Sequence, residues 1–397
     1  MGVPLLDLPR QHERVRTAVA DGVAAVFASQ QFILGKTVED FENSFAELIG
    51  VPHAVGMSSG TDAQLAILMA MGIGEGDAVI TTPYTFFATA GCIHRVGAET
   101  VFIDIDPATY LIDLTLLEQY LESRQRDDEG YLLTDKGARI RAIIPVHLFG
   151  VCVAADALQN LSEKYSVPIV EDAAQAVGAE FRSWATGEMS RAGAIGDSAY
   201  FSFFPTKNLG AAGDAGISVC KDADFANKLR LVRNHGMEQR YYHRVVGGNF
   251  RLDALQAAVL LAKMPLVHEW NSERRGNATD YRDGFTAAGL LDFVTLPAEP
   301  WYGRAVENHH IYHQYVLRAH RRDELMAHLQ ANKIGCAVYY PVPLHLQECF
   351  AYLGYQEGSL PHAEAAARET IALPIFAELR PEEIKEVVDA IATFYKG

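Results

Sequence analysis

Two stretches of this 397-residue chain hold the side chains best suited to covalent chemistry. The first runs from Ser198 to Val219, SAYFSFFPTKNLGAAGDAGISV. Its apolar, aromatic opening, Ala199 to Phe204, has the length of a buried strand. Pro205 ends that strand and a single lysine, Lys207, follows. Gly210, Gly213 and Gly216 predict a tight turn into a second short strand, Ile217 to Val219. An ammonium between two buried strands is costly unless it is neutralised or compensated. A desolvated lysine gives up its proton more readily and can form a Schiff base with an aldehyde. The other reading of Lys207 is a loop side chain in solvent.

The second stretch is Val167 to Phe181, VPIVEDAAQAVGAEF. Ile169 and Val170 read as the end of a strand, followed by Glu171, Asp172 and Gln175. In open α/β sheets ligands bind at the carboxyl ends of the strands. A lysine for an aldehyde and a carboxylate for a ring nitrogen are the two groups that pyridoxal phosphate requires of a protein. Asp172 meets the second need if its strand lies beside the one leading to Lys207. Its other reading is a helix N-cap with Glu171 as a solvated neighbour.

EDAAQA followed by SFFPTKNLGAAGDAG resembles the DegT/StrS family of nucleotide-sugar aminotransferases, fold-type I pyridoxal phosphate enzymes. The likeness extends from FILGKTVEDFE to YPVPLHLQ and so covers most of the chain. It implies an α/β fold. A large domain with a mostly parallel sheet flanked by helices, residues 1–250, would bind the cofactor. A long linking helix and a small α+β domain would make up residues 251–397. The resemblance places pyridoxal 5′-phosphate on Lys207 and its ring nitrogen on Asp172. It assigns the phosphate to Gly60, Thr61, Ser202 and Asn249, the ring face to Phe86, the ring hydroxyl region to Gln175, and substrate to Arg251 and Tyr339. Tyr339 stands where relatives often carry histidine, and Gly91 where many carry a polar residue.

The elements that must position these groups can be read in chain order. Pro9 to Ser29 and Val38 to Ile49 have helical apolar stripes. SSGTDAQLAILMAM, Ser58 to Met71, is a glycine turn entering an apolar helix, whose start offers free N–H groups to an anion. A plain Ser/Thr cap is the simpler reading of that start. Strands follow at Ala78 to Thr81, Thr100 to Ile105 and Arg141 to Leu148, and helices at Leu114 to Glu122 and Asp156 to Tyr165. This alternation predicts a parallel sheet. Phe86, in TPYTFFATA, reads as either a stacking face or a core aromatic. Leu252 to Phe285 reads as a long helix bent at Pro265. HHIYHQYVL, His309 to Leu317, reads as a strand rather than a histidine metal site, so no metal is expected.

Gly35–Thr37 reads GKT, but Gln30 stands where a P-loop needs glycine. The net charge of −16 argues against a nucleic-acid or anionic-membrane partner. Against that acidic average, Lys228 to Arg251 holds six Lys/Arg and one acidic residue, a feature suited to an anionic ligand. Five cysteines without C-x-x-C spacing, and an amino terminus without signal-peptide order, predict a cytoplasmic protein.

The expected activity is transfer of an amino group from glutamate, which becomes 2-oxoglutarate, to a UDP- or dTDP-linked ketosugar. RYYH, NFRLDALQAA and YPVPLHLQ are most similar to members that aminate carbon 3. The family likeness also implies a homodimer whose sites are shared across the interface. The alternatives are a sugar dehydratase of the same family, whose members replace the lysine with histidine, and a non-catalytic cofactor-binding regulator.

Overall fold

Helix α1 (Leu8–Ser29) begins where Asp7 accepts the Arg10 N–H and Pro9 fills a position that needs no donor. Its neighbour α2 (Lys36–Ile49) buries Val38, Phe41, Phe45 and Ile49 on one face and stops at Gly50, whose φ is 87°. Then come β1 (His53–Met57), α3 (Gly60–Ala70), β2 (Asp77–Thr81), α4 (Ala88–Arg95) and β3 (Glu99–Phe102). They are followed by α5 (Leu114–Glu122), β4 (Arg139–Ile143), α6 (Ala155–Tyr165) and β5 (Val170–Asp172). A small hairpin, β6 (Glu180–Arg182) with β7 (Met189–Arg191), precedes β8 (Ser198–Ser202) and β9 (Gly216–Cys220). The computed structural model describes residues 2–397.

The strands form one sheet in the order β1-β9-β8-β5-β4-β2-β3. Four-stranded β1-β9-β8-β5 and three-stranded β3-β2-β4 are joined by parallel bridges at Ile143–Ile169 and Val146–Asp172. All neighbours are parallel except those of β9, which runs against both β1 and β8. Helices cover the sheet, as parallel strands buried on both faces require. Phe201 and Phe203 pack edge-on against Phe41 and Phe45 at 5.0 to 5.4 Å between centroids, which seats α2 on the strand that leads to Lys207.

Past β9 lie α7 (Ala223–Arg233), a hairpin of β10 (Met237–Gln239) and β11 (Tyr242–His243), and α8 (Ala254–Lys263). The predicted bend is present: a 3-10 turn over Met264–Leu266 separates α8 from α9 (Val267–Ala287). The remaining chain builds an antiparallel sheet, β12 (Val294–Thr295), β13 (Tyr315–Ala319) and β14 (Thr370–Leu373), with α10 (Arg322–Ala331), α11 (Pro361–Glu369) and α12 (Pro381–Lys396). A second apolar cluster there includes Tyr281, Phe285, Leu317 and Val387, and Val3 from the amino end joins it.

Two expectations need correction. The strand predicted over 309–317 begins only at Tyr315, because the residues before it spend their polar groups elsewhere. His310 stacks on Tyr312 at 3.7 Å and accepts its backbone N–H, His309 meets Glu299, and His313 meets Asn208. The three imidazoles therefore have three separate partners. The second correction concerns β5, which continues through Glu171 and Asp172 instead of ending before them. Adjacent strand residues face opposite ways, and this decides the fate of the two carboxyl groups.

Candidate active site

The carboxyl ends of β5 and β8, the start of α3 and the loop after β2 surround a cavity of about 740 Å³. It lies where the sheet rule places ligands. Gly60, Thr61, Phe86, Asp172, Gln175, Ser202, Lys207 and Tyr339, eight of the residues singled out in the sequence, line it together.

Lys207 is half-buried on the wall, one turn beyond β8, its N–H donated to Phe204 O. Burial brings its amine down to about 8, partly opposed by the Asp172 carboxylate. An appreciable fraction is therefore unprotonated near neutral pH, the form that attacks a carbonyl.

Asp172, 5 % exposed, pairs in register with Tyr200 of β8, so the two strands are neighbours as the carboxylate reading required. Thr89 Oγ1 donates to its Oδ2 at 2.8 Å, and Ala174 N to its Oδ1 at 3.1 Å. Two donors fix the carboxylate as an acceptor aimed from the strand end. Tyr200 lies beside it, and burial together with the Asp172 charge pushes the phenol well above its ordinary value.

Glu171 faces the other way and is fully buried, not solvated. Its oxygens take N–H groups from Gly193, Ile195 and Gly196, and lie 2.8 Å from His147 Nε2. His147 Nδ1 accepts Val153 N–H, so Nε2 carries the proton and donates to Glu171. Four donors leave Glu171 no capacity for a ligand. It clamps the 193–196 loop to β5.

The start of α3 packs tightly on the β8–β9 hairpin. A Cβ on Gly60 would come within 2.7 Å of Ser202 Cβ, and one on Gly216 within 2.3 Å of the Ser59 backbone. These two glycines let free helix N–H groups and the Ser202 hydroxyl share one concavity. Ser59 caps the helix by accepting Asp62 N–H, so the plain-cap reading holds for Ser59 while the Gly60 and Thr61 amides remain available to an anion. Phe86 is no core aromatic: it is 59 % exposed and stands over the cavity with its ring 6.4 Å from that of Tyr340. Gln175 accepts Phe149 N–H and donates to Tyr340 Oη at 3.0 Å, leaving one amide hydrogen free.

Asn249 and Arg251 do not reach this cavity within their own chain. Asn249 bridges to Asn234, and Arg251 bridges to Met57 and donates to Asn234 Oδ1 at 2.7 Å. Sequence reasoning also passed over Thr89, Tyr200 and Tyr340, each on the cavity wall, and read His313, on the same wall, only as a strand residue rather than a metal ligand. Thr89 lies in the first turn of α4 and Tyr200 in the middle of β8, so neither could be tied to Asp172 until the pairing of β5 with β8 was known.

An anion cradle, an aromatic face, a buried carboxylate and an amine of lowered pKa fit the phosphate, ring, ring nitrogen and aldehyde of pyridoxal phosphate. This sheet and donor set are those of the class of pyridoxal phosphate-dependent enzymes. Within that class the chain belongs to the DegT/DnrJ/EryC1/StrS aminotransferase family, whose model matches residues 14–392. It is 37 % identical over 395 residues to a UDP-N-acetyl-3-dehydro-α-D-glucosamine 3-aminotransferase from Acidithiobacillus ferrooxidans, covering 100 % of this chain and 98 % of the relative. It is 43 % identical to a protein of Geobacillus stearothermophilus named a pleiotropic regulatory protein, covering 100 % and 99 %. Among solved structures, DesV of Streptomyces venezuelae, captured with a ketimine intermediate, superposes with a TM-score of 0.89 at 36 % identity, covering 100 % and 99 %.

Proposed function

We propose that this enzyme transfers an amino group from glutamate to carbon 3 of a UDP- or dTDP-linked ketosugar. The observation that carries the reading is the convergence of Lys207, Asp172 and the Gly60–Thr61–Ser202 cradle on one cavity. The sugar and its nucleotide follow the named 3-aminotransferase relative.

Bound pyridoxal phosphate would supply an aldehyde for the travelling amino group and a ring that takes up electrons when the substrate carbon loses a proton. Lys207 holds that aldehyde between turnovers. Once displaced, its amine moves the proton at the substrate carbon, first as base and then as acid. Asp172 keeps the ring nitrogen protonated. Gly60, Thr61 and Ser202 bind the phosphate, Phe86 covers one face of the ring, and the free Gln175 hydrogen meets the ring hydroxyl. Tyr339 contacts the sugar. These roles belong to a cofactor-binding portion, residues 1–250, and to a portion that starts with the long helix, 251–397. Free cysteines are in keeping with a cytoplasmic setting, and among the described residues no helix is long and apolar enough to cross a membrane.

Turnover tests the reading. Glutamate with a panel of UDP- and dTDP-ketosugars is expected to yield 2-oxoglutarate over many cycles, fastest with 3-keto sugars. A regulator would give no turnover, and a dehydratase would give a sugar that has lost a hydroxyl without gaining nitrogen. Either outcome overturns the proposal.

The enzyme works as a homodimer in which Asn249 and Arg251 serve the partner's site, Asn249 on the phosphate and Arg251 on the donor carboxylate. The reading is supported by their position outside their own cavity, on a segment carrying exposed Arg240, Tyr241, Tyr242 and Arg244. Inactive Lys207→Ala and Arg251→Ala chains, refolded together, should form hybrids in which one site carries both lesions and the other none. Activity returns if the sites are shared. A dead mixture with hybrids confirmed by mass refutes sharing.

A further inference from the structure

The chemistry above leaves His313 without a task, although it lines the cavity and is 8 % exposed. Its Nδ1 lies 3.1 Å from Asn208 Oδ1. The direction of that bond follows from two buried amides. Asn271 Nδ2 donates to Val177 O at 3.0 Å, which turns Asn271 Oδ1 toward Asn208. Asn208 Nδ2 donates to that oxygen at 2.8 Å and to Ile311 O at 3.1 Å, so only its Oδ1 faces the imidazole. An amide oxygen accepts, hence His313 Nδ1 carries the proton and Nε2 is the acceptor. Burial and the charges of Lys207 and Arg274 oppose a second proton. Among the described residues no group donates to Nε2.

The relay is rigid, since Asn208 is 4 % exposed and Asn271 is fully buried. A satisfied buried network of this kind fixes one tautomer and one orientation. The relay leaves Nε2 as the imidazole's acceptor, and His313 lines the cavity that Lys207 also lines. Asn208 follows Lys207 in the chain, so the relay also anchors the backbone beside the lysine. The other acceptor near the amine, Asp172, already receives Thr89 and Ala174.

We propose that His313 is a positioning residue for Lys207, its Nε2 accepting an N–H of the lysine amine once that side chain turns from its place in this structure to the free acceptor. The released amine is thereby held at the substrate carbon instead of sampling the cavity. This inference rests on the reading of Lys207 as the carbonyl-binding amine.

Two variants separate this task from a merely structural one. His313→Asn keeps an N–H for Asn208 Oδ1 and has nothing at the Nε2 position. His313→Gln places an amide oxygen near the Nε2 position and gives up the donor to Asn208. The readout is acetylation of Lys207 by acetic anhydride in the full-length, cofactor-free chain, followed against pH by peptide mass. It needs no activity. The charged groups facing the pair are Asp172 and Arg274, which both variants retain. The wild-type midpoint is expected at about 8. His313→Asn should lower it by about one unit, because an acceptor that favours the ammonium is lost. His313→Gln should match wild type. In the loaded enzyme, kcat should fall about tenfold in His313→Asn at unchanged KM, and hold in His313→Gln. Neither midpoint shifting, both shifting alike, or only His313→Gln shifting overturns the proposal. Should the acetylation pattern hold while no ketosugar is aminated, the substrate reading fails and this one stands.

Discussion

Lys207→Ala should lose turnover by about 10⁴-fold or more, because one substitution removes both the carbonyl-binding amine and the proton carrier. The purified variant should also lack the visible absorption of a lysine-bound cofactor. The wild-type chain stripped of cofactor should recapture it faster as pH rises through about 8, the point to which burial brings the amine. The sign follows from the chemistry: the unprotonated amine attacks, and its fraction grows above its pKa. Added small amines should restore part of the Lys207→Ala activity by replacing the proton carrier. An active Lys207→Ala enzyme without such amines would remove Lys207 from the mechanism.

Asp172→Asn should keep the cofactor bound and slow proton removal by about a hundredfold or more, the cost typical of losing a fixed electrostatic partner in a dry site. Asparagine preserves the size, and its oxygen can still accept from Thr89 or Ala174. What it loses is the charge that holds a proton on the ring nitrogen. Single-turnover spectra with glutamate measure that step apart from product release. An unchanged rate would show that the ring proton does not depend on Asp172. Glu171 could not be the substitute, because its oxygens are committed to His147 and three backbone amides.

Much of this site was legible because its members sit at the ends of apolar runs. Lys207 and Asp172 stand where a strand gives way to a turn, and a period of two or a stop at proline is readable without knowing the neighbours. The same holds for Gly60 and Thr61 at the start of an apolar helix. The β8–β9 hairpin was readable from its glycine turn, but the sheet order was not, since β9 running against β1 depends on pairing between segments more than a hundred residues apart. The opposite fates of Glu171 and Asp172 needed the position of the 193–196 loop. The His313–Asn208–Asn271 relay joins three segments in which a lone polar residue reads as ordinary. The histidines of 309–313 looked like strand residues because their apolar neighbours alternate, yet each imidazole is spent on a different long-range or local partner. Asn249 and Arg251, picked out with the site in the sequence, stand outside their own chain's cavity, a placement that depends on long-range pairing with Met57 and Asn234.

The most direct test of the central claim, that Lys207 carries the reacting carbonyl, is reductive trapping. The cofactor-loaded wild type is treated with borohydride, digested, and its peptides weighed. The expected result is the cofactor's mass on the Lys207 peptide alone. Lys263 is the physical competitor, since burial lowers its amine too, although its ammonium donates to Gly210 O at 2.6 Å. Cofactor mass on Lys263, or on any lysine other than Lys207, would contradict the assignment.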